Sequence, residues 1–136
     1  MRKIVLTLAS SAIILSSFLV AFAQELPETV VLDACADKRA PVTFPHQAHV
    51  ELTECTTCHH TSEGLTAENC AEMEVMTCTS CHLKPEEGVP DCSSMSLTKN
   101  AYHINCVGCH KESIKAAPEG TTVAAPTKCD ECHPKS

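Results

Sequence analysis

Tryptophan is absent from this 136-residue chain, which has one tyrosine and three phenylalanines. Phe18 and Phe22 lie in an apolar N-terminal run, so the rest of the protein has only Phe44 and Tyr102 as aromatics. Aromatic side chains usually supply much of the burial that holds a core together. Beyond the N-terminal run the branched aliphatics are also sparse and scattered. A conventional core of side chains alone is therefore excluded, and some other apolar mass must fill the interior.

Positive charge is also scarce. The formal net charge is −7, and between Glu51 and Asp91 nine acidic residues face a single basic one, Lys84. After His110 the balance is even, with four lysines against four acidic residues. A chain so acidic does not bind nucleic acid by neutralising phosphates. It favours a basic protein partner, approached through its first half.

The long apolar run is confined to residues 4–22. Arg2 and Lys3 precede it and Ala21-Phe22-Ala23 ends it, the layout of a secretory signal peptide spanning residues 1–23. A retained anchor is the alternative, because the run is about long enough to cross a bilayer. Gln24 follows the expected cut where a lipoprotein would have cysteine. Export to the periplasm is the expectation, leaving one domain, residues 24–136. Removing 23 of 136 residues leaves 113, with a net charge of −9 once Arg2 and Lys3 are gone.

What is abundant is cysteine, eleven in all, together with eight histidines. An exported, cysteine-rich chain ordinarily signals a disulfide framework. The spacing says otherwise. C-x-x-C-H occurs four times: CTTCH at 55–59, CTSCH at 78–82, CVGCH at 106–110 and CDECH at 129–133. This is the attachment pattern of c-type haem. Two thiols add across the porphyrin vinyl groups, two intervening residues set their reach, and the next residue places an imidazole under the iron. Zinc knuckles also use C-x-x-C but have no need of that following histidine. No βαβ pattern surrounds any pair, which excludes a thioredoxin-like motif. Cys55, Cys58, Cys78, Cys81, Cys106, Cys109, Cys129 and Cys132 are thus the expected anchors of four haem c groups. Four macrocycles sharing this chain leave about 28 residues each, too few to wrap them singly, so the haems themselves are the expected core.

Proximal ligation uses His59, His82, His110 and His133, leaving His46, His49, His60 and His103 for the four remaining axial positions. The numbers match, so bis-histidine ligation is expected throughout. Methionine competes for such positions, but Met76 lies too near Cys78 to reach over its own haem, and Met73 and Met95 read as packing residues. Neighbouring side chains cannot address one iron, so His60, next to His59, is expected to serve a second haem and hold two irons close.

VTFPHQAH, CTTCHH and the isolated histidine of NAYHINC, in that order among the haem motifs, resemble the class III cytochromes, the tetrahaem cytochromes c3 of sulfate-reducing bacteria. The resemblance spans about residues 28–136. It implies the axial pairs His46 with His59, His60 with His82, His49 with His110, and His103 with His133. The fold it implies is small, mostly irregular and helical, with a short N-terminal β-hairpin, a few short helices and a haem-packed core. Uniform C-x-x-C-H sites and the acidic surface resemble the type II branch. That branch implies electrons received from a basic type I cytochrome c3 or hydrogenase and passed to a membrane-bound redox complex during sulfate respiration.

Along the chain, VVL at 30–32 and VTF at 42–44 read as the hairpin strands. A short helix is expected between Pro45 and Thr61. Further helices are expected from a Thr66 cap through Val75 and from a Thr98 cap to about Ser113. Residues 84–95 and 116–127 read as loops before a last helical turn. Of the remaining cysteines, Cys70 and Cys92 bracket the second haem motif. A disulfide between them, with Cys35 free, is one expectation and three free thiols the other.

Two imidazoles saturate an iron and leave no position for a small-molecule substrate, so electron transfer rather than catalysis is the expected role. The competing readings are a multihaem reductase with one open iron, acting on a metal ion or a sulfur or nitrogen oxyanion, and a structural metal-binding module.

Overall fold

The computed structural model describes residues 26–135. The signal peptide expected over residues 1–23, with its cleavage point, lies outside the described residues.

Strands β1 (Val30–Leu32) and β2 (Val42–Phe44) pair antiparallel, Val30 opposite Phe44 and Leu32 opposite Val42. Both are rich in β-branched residues, which suit a pleated, half-buried surface. The loop between them carries Cys35 in the left-handed region at φ 57°. Helix α1 (His46–Val50) follows β2 directly. Pro45 supplies no side-chain cap, and the free amide of Gln47 donates instead to the Glu28 carbonyl at 3.1 Å. That bond ties the helix start to the chain entering β1.

A 3-10 turn at Cys55–Thr57 holds the first motif and helix α2 (Cys78–His82) the second. No helix forms between them. Residues 67–72 are a run of turns, against the expected helix from Thr66 to Val75. The expected cap does form, since Thr66 Oγ1 accepts from the Asn69 amide at 3.3 Å. Asn69, however, spends its side chain locally, accepting from the Thr66 amide and donating to the Gly64 carbonyl. Such local bonds compete with helix propagation, and Glu68 and Glu72, four apart, would repel along a helix face.

The third motif lies on a helix that starts at Ala101, passes through a π-turn at His103–Val107 and continues as α3 (Gly108–Ala116). Its cap is Asn100, not Thr98. Asn100 Oδ1 accepts from the amides of Tyr102 (2.9 Å) and His103 (3.2 Å), while the Thr98 amide is bonded to Ser96 Oγ. Helix α4 (Cys129–Cys132) carries the fourth motif. Glu131 Oε2 accepts from the Thr127 and Lys128 amides, and those bonds hold its carboxyl below the usual carboxylate range.

Cys35 is bonded to Cys92, with Cα atoms 5.9 Å apart, and Cys70 is free. Both expectations for these cysteines are corrected. Nearness to the second motif proved no guide: Cys70 turns back on its own segment, its thiol 3.3 Å from the Ala67 carbonyl. Cys92 is brought to the hairpin loop instead, on a segment bridged in parallel to Asn100. Closing a loop of 57 residues removes denatured-state entropy worth about 4 kcal/mol.

The apolar interior is very small. Among the described residues the buried hydrophobics are Leu65, Cys92 and Val107, whereas Leu52 is 81 % exposed. The architecture is that expected of a cytochrome c3-like chain: one hairpin, a few short helices and mostly irregular backbone.

Candidate functional site

Each C-x-x-C-H motif sits on a single helical turn, either α2, α4, the 3-10 turn or the π-turn leading into α3. Residues i, i+3 and i+4 share one face of such a turn, so two thiols and the following imidazole point the same way. That common direction is what two vinyl groups and an iron require. None of the eight motif cysteines is taken up by a disulfide, so each is available to a porphyrin vinyl group.

The histidines come together two by two. Ring centres lie 6.5 Å apart for His46 and His59, 5.9 Å for His60 and His82, 6.1 Å for His49 and His110, and 6.3 Å for His103 and His133. A metal held by one nitrogen from each side at about 2 Å separates two imidazole centres by roughly 6 Å. The spacing therefore fits an iron between each pair. A zinc ribbon would instead gather four donors to one point. The adjacent residues His59 and His60 fall in different pairs.

Seven of the eight rings are oriented by a backbone carbonyl at Nδ1. His46 meets Pro27 (3.2 Å), His49 Pro45 (2.9 Å), His59 Met76 (3.0 Å) and His82 Pro90 (2.6 Å). His103 meets Ser96 (3.3 Å), His110 Pro126 (2.6 Å) and His133 Ala40 (2.7 Å). A proton on Nδ1 donating to a carbonyl leaves the Nε2 lone pair free for metal and raises its basicity. His60 is exposed and has no such acceptor among the described residues. Sequence reading did not find these carbonyls. The one available signal was proline, which is the acceptor four times and marks irregular backbone whose carbonyls are not spent in helix or sheet.

The four motifs converge. Cys106 is half-buried, and the sulfurs of Cys58, Cys78, Cys132 and Cys109 lie around it. Three of these belong to the other three motifs. Asn105 Nδ2 also reaches Cys58 Sγ at 3.7 Å across 47 residues. Tyr102 sits within the same cluster; burial raises its phenol, with Cys78, Cys106 and Asp33 adding to the effect.

The fourth pair borders two cavities. One, of about 130 Å³, is lined by His103, His133, Cys132 and Tyr102 and also by Cys35 and Cys92. The other, of about 570 Å³, lies against Cys129 and His133 with Lys38, Arg39 and Lys135 around it. A cationic lining suits a planar group that carries carboxylates.

Imidazole pairs at iron-spanning distance, each above a C-x-x-C-H turn, define a c-type cytochrome with several haem sites. Residues 22–133 match the class III cytochrome C family, and the chain belongs to that family. It is 36% identical to cytochrome c3 of Maridesulfovibrio salexigens, over 82% of this chain and 97% of that protein. It is 34% identical to cytochrome c3 of Desulfovibrio desulfuricans, over 82% of this chain and 99% of that one. The nine-haem cytochrome c of Desulfovibrio desulfuricans is 34% identical over 81% of this chain and 36% of its own length. Membership makes covalently bound haem c the cofactor.

Proposed function

We propose that the protein is a periplasmic, low-potential electron carrier holding four bis-histidine haems. The observation that carries this reading is the set of four imidazole pairs, each spaced for one iron. Haem supplies a one-electron couple when bound, and the chain decides how that couple behaves. With haem bound, each histidine pair would hold its iron from both sides and leave no position for a substrate, so the centres would exchange electrons only. Carbonyls at Nδ1 make seven of these imidazoles stronger donors, which favours the oxidised iron and lowers its potential. Convergence of Cys58, Cys78, Cys106 and Cys132 keeps the sites close enough for electrons to pass between them.

Mass spectrometry of the exported protein tests the count. A chain starting at Gln24 and carrying four haems is expected, and a smaller number overturns the reading.

The partners follow from charge. The stretch from Glu51 to Asp91 holds nine carboxylates and one lysine, and suits a basic redox protein such as a type I cytochrome c3 or a hydrogenase. Delivery to a subunit of a membrane redox complex completes the relay that the resemblance implies. Complementary charge acts mainly on the encounter rate. Reduction by a basic cytochrome, followed by stopped-flow, is therefore expected to slow about tenfold between low salt and roughly 0.2 M. A rate indifferent to salt excludes the acidic segment as the dock.

A further inference from the structure

We infer that the Cys35–Cys92 disulfide is the positioning bond of the fourth axial pair. It fastens the loop that orients His133 to the segment that holds His103. The inference rests on the four-haem reading above and assigns this bond a role within it.

The two histidines arrive from distant parts of the chain. His133 follows a four-residue helix near the C-terminus and is oriented by the Ala40 carbonyl, 93 residues away, at 2.7 Å. Ala40 lies in the loop between β1 and β2, and Cys35 lies in that same loop. The position of the His133 ring is therefore only as well defined as that loop.

His103 is held from the other side. Cys92 accepts at its carbonyl from Asn100 Nδ2 (3.0 Å), and Asn100 Oδ1 accepts from the amide of His103 (3.2 Å). His103 Nδ1 in turn meets the Ser96 carbonyl within the same segment. Cys92 is 5 % exposed and Asn100 7 %, so this link belongs to the small set of buried residues. The Cys92 amide also donates to the His82 carbonyl at 2.9 Å, joining the segment to the second motif.

Between these two pieces, among the described residues, no hydrogen bond runs from residues 33–41 to residues 91–103. The disulfide is the bond that joins them, and both its cysteines line the cavity containing His103 and His133. Cys35 adopts φ 57°, a left-handed conformation that is unfavourable for a residue with a Cβ. With the bond gone, the turn is free to leave that conformation and carry Ala40 with it.

The test uses the mature holoprotein and begins with a haem count. Fewer than four haems on the wild type overturns the underlying reading, and the inference with it. With four present, the Cys35→Ser/Cys92→Ser variant is compared with the wild type by paramagnetic NMR, by redox titration of individual haems and by carbon monoxide binding. The expected result is a change concentrated on the haem between His103 and His133: a displaced signal, a moved midpoint, and carbon monoxide uptake rising from about none to about one per protein. Reduction of the disulfide in the mature wild-type holoprotein by a phosphine, which leaves the haem thioethers intact, is expected to disturb the same haem, and it decides the matter if the double variant fails to mature. Four haems unchanged in signal and midpoint overturn the inference, as does an equal disturbance of all four.

Discussion

Produced where haem is not attached, the chain is expected to remain unfolded: a random-coil far-UV spectrum, collapsed amide dispersion and no cooperative melt. The reason lies in the inventory of buried groups. Leu65, Cys92 and Val107 are the buried hydrophobics among the described residues, while Val31, Leu83, Met95, Leu97, Ile104 and Ile114 are exposed. Helices α1, α2 and α4 have five, five and four residues, and the longest helical segment, residues 101–116, is interrupted by the π-turn at His103–Val107. Isolated helices shorter than about 12–15 residues are marginal in water, and a lone two-stranded hairpin is no better. The Cys35–Cys92 bond restricts the denatured chain but buries little by itself. Attached haem changes the balance because each macrocycle presents two large apolar faces to its neighbours, and the imidazole pairs cross-link segments far apart in sequence, such as His49 with His110. Circular dichroism and hydrogen exchange on matched samples with and without haem decide the matter. A sharp unfolding transition in the haem-free chain would falsify the claim that the cofactor is the core.

Much of the site was legible in the sequence because its chemistry tolerates little variation. Vinyl spacing fixes C-x-x-C and axial geometry fixes the following histidine, so the four motifs could be read off directly. The hairpin was legible for a different reason: Val30, Val31, Val42 and Thr43 are β-branched, and a short polar segment separates them. The same pairings of distal with proximal histidines that the resemblance implied are those the structure brings within 5.9–6.5 Å.

What could not be read depended on contacts between distant residues. The Thr66 segment has good helix formers, yet Asn69 diverts its own side chain to Thr66 and Gly64 and the turn does not propagate. The helix carrying His103 begins at Asn100 because that side chain is buried and serves Cys92, Ser94, Tyr102 and His103 together. Spacing pointed Cys92 towards Cys70, but the fold delivers it to Cys35 across 57 residues. The carbonyls that orient the imidazoles carry no side-chain signature at all. Each of these is a tertiary decision between alternatives that local sequence leaves nearly equal in energy.

Replacing His49 with methionine is expected to raise the midpoint of one haem by on the order of 0.2 V, a modest share of the ~0.8 V over which axial ligands set haem potentials. His49 lies on α1, its ring 6.1 Å from His110 and 4.4 Å from Phe44, with Nδ1 fixed by the Pro45 carbonyl. Methionine is unbranched and close in length, so its thioether can reach the same iron from the same turn of helix. The sulfur is a weaker donor than an imidazole hydrogen-bonded to a carbonyl, and it favours the reduced iron. A shift of that size is about three powers of ten in the equilibrium between this centre and its neighbours, at 59 mV per tenfold change. Electrons entering the protein should then collect at the altered haem, and delivery to a low-potential acceptor should fall with them. His49→Ala separates ligation from potential: it leaves the iron five-coordinate, with a high-spin spectrum and carbon monoxide uptake when reduced. Redox titration monitored haem by haem checks both variants. Titration curves that superimpose on the wild type would remove His49 from the axial set, and the pairing with His110 would have to be abandoned.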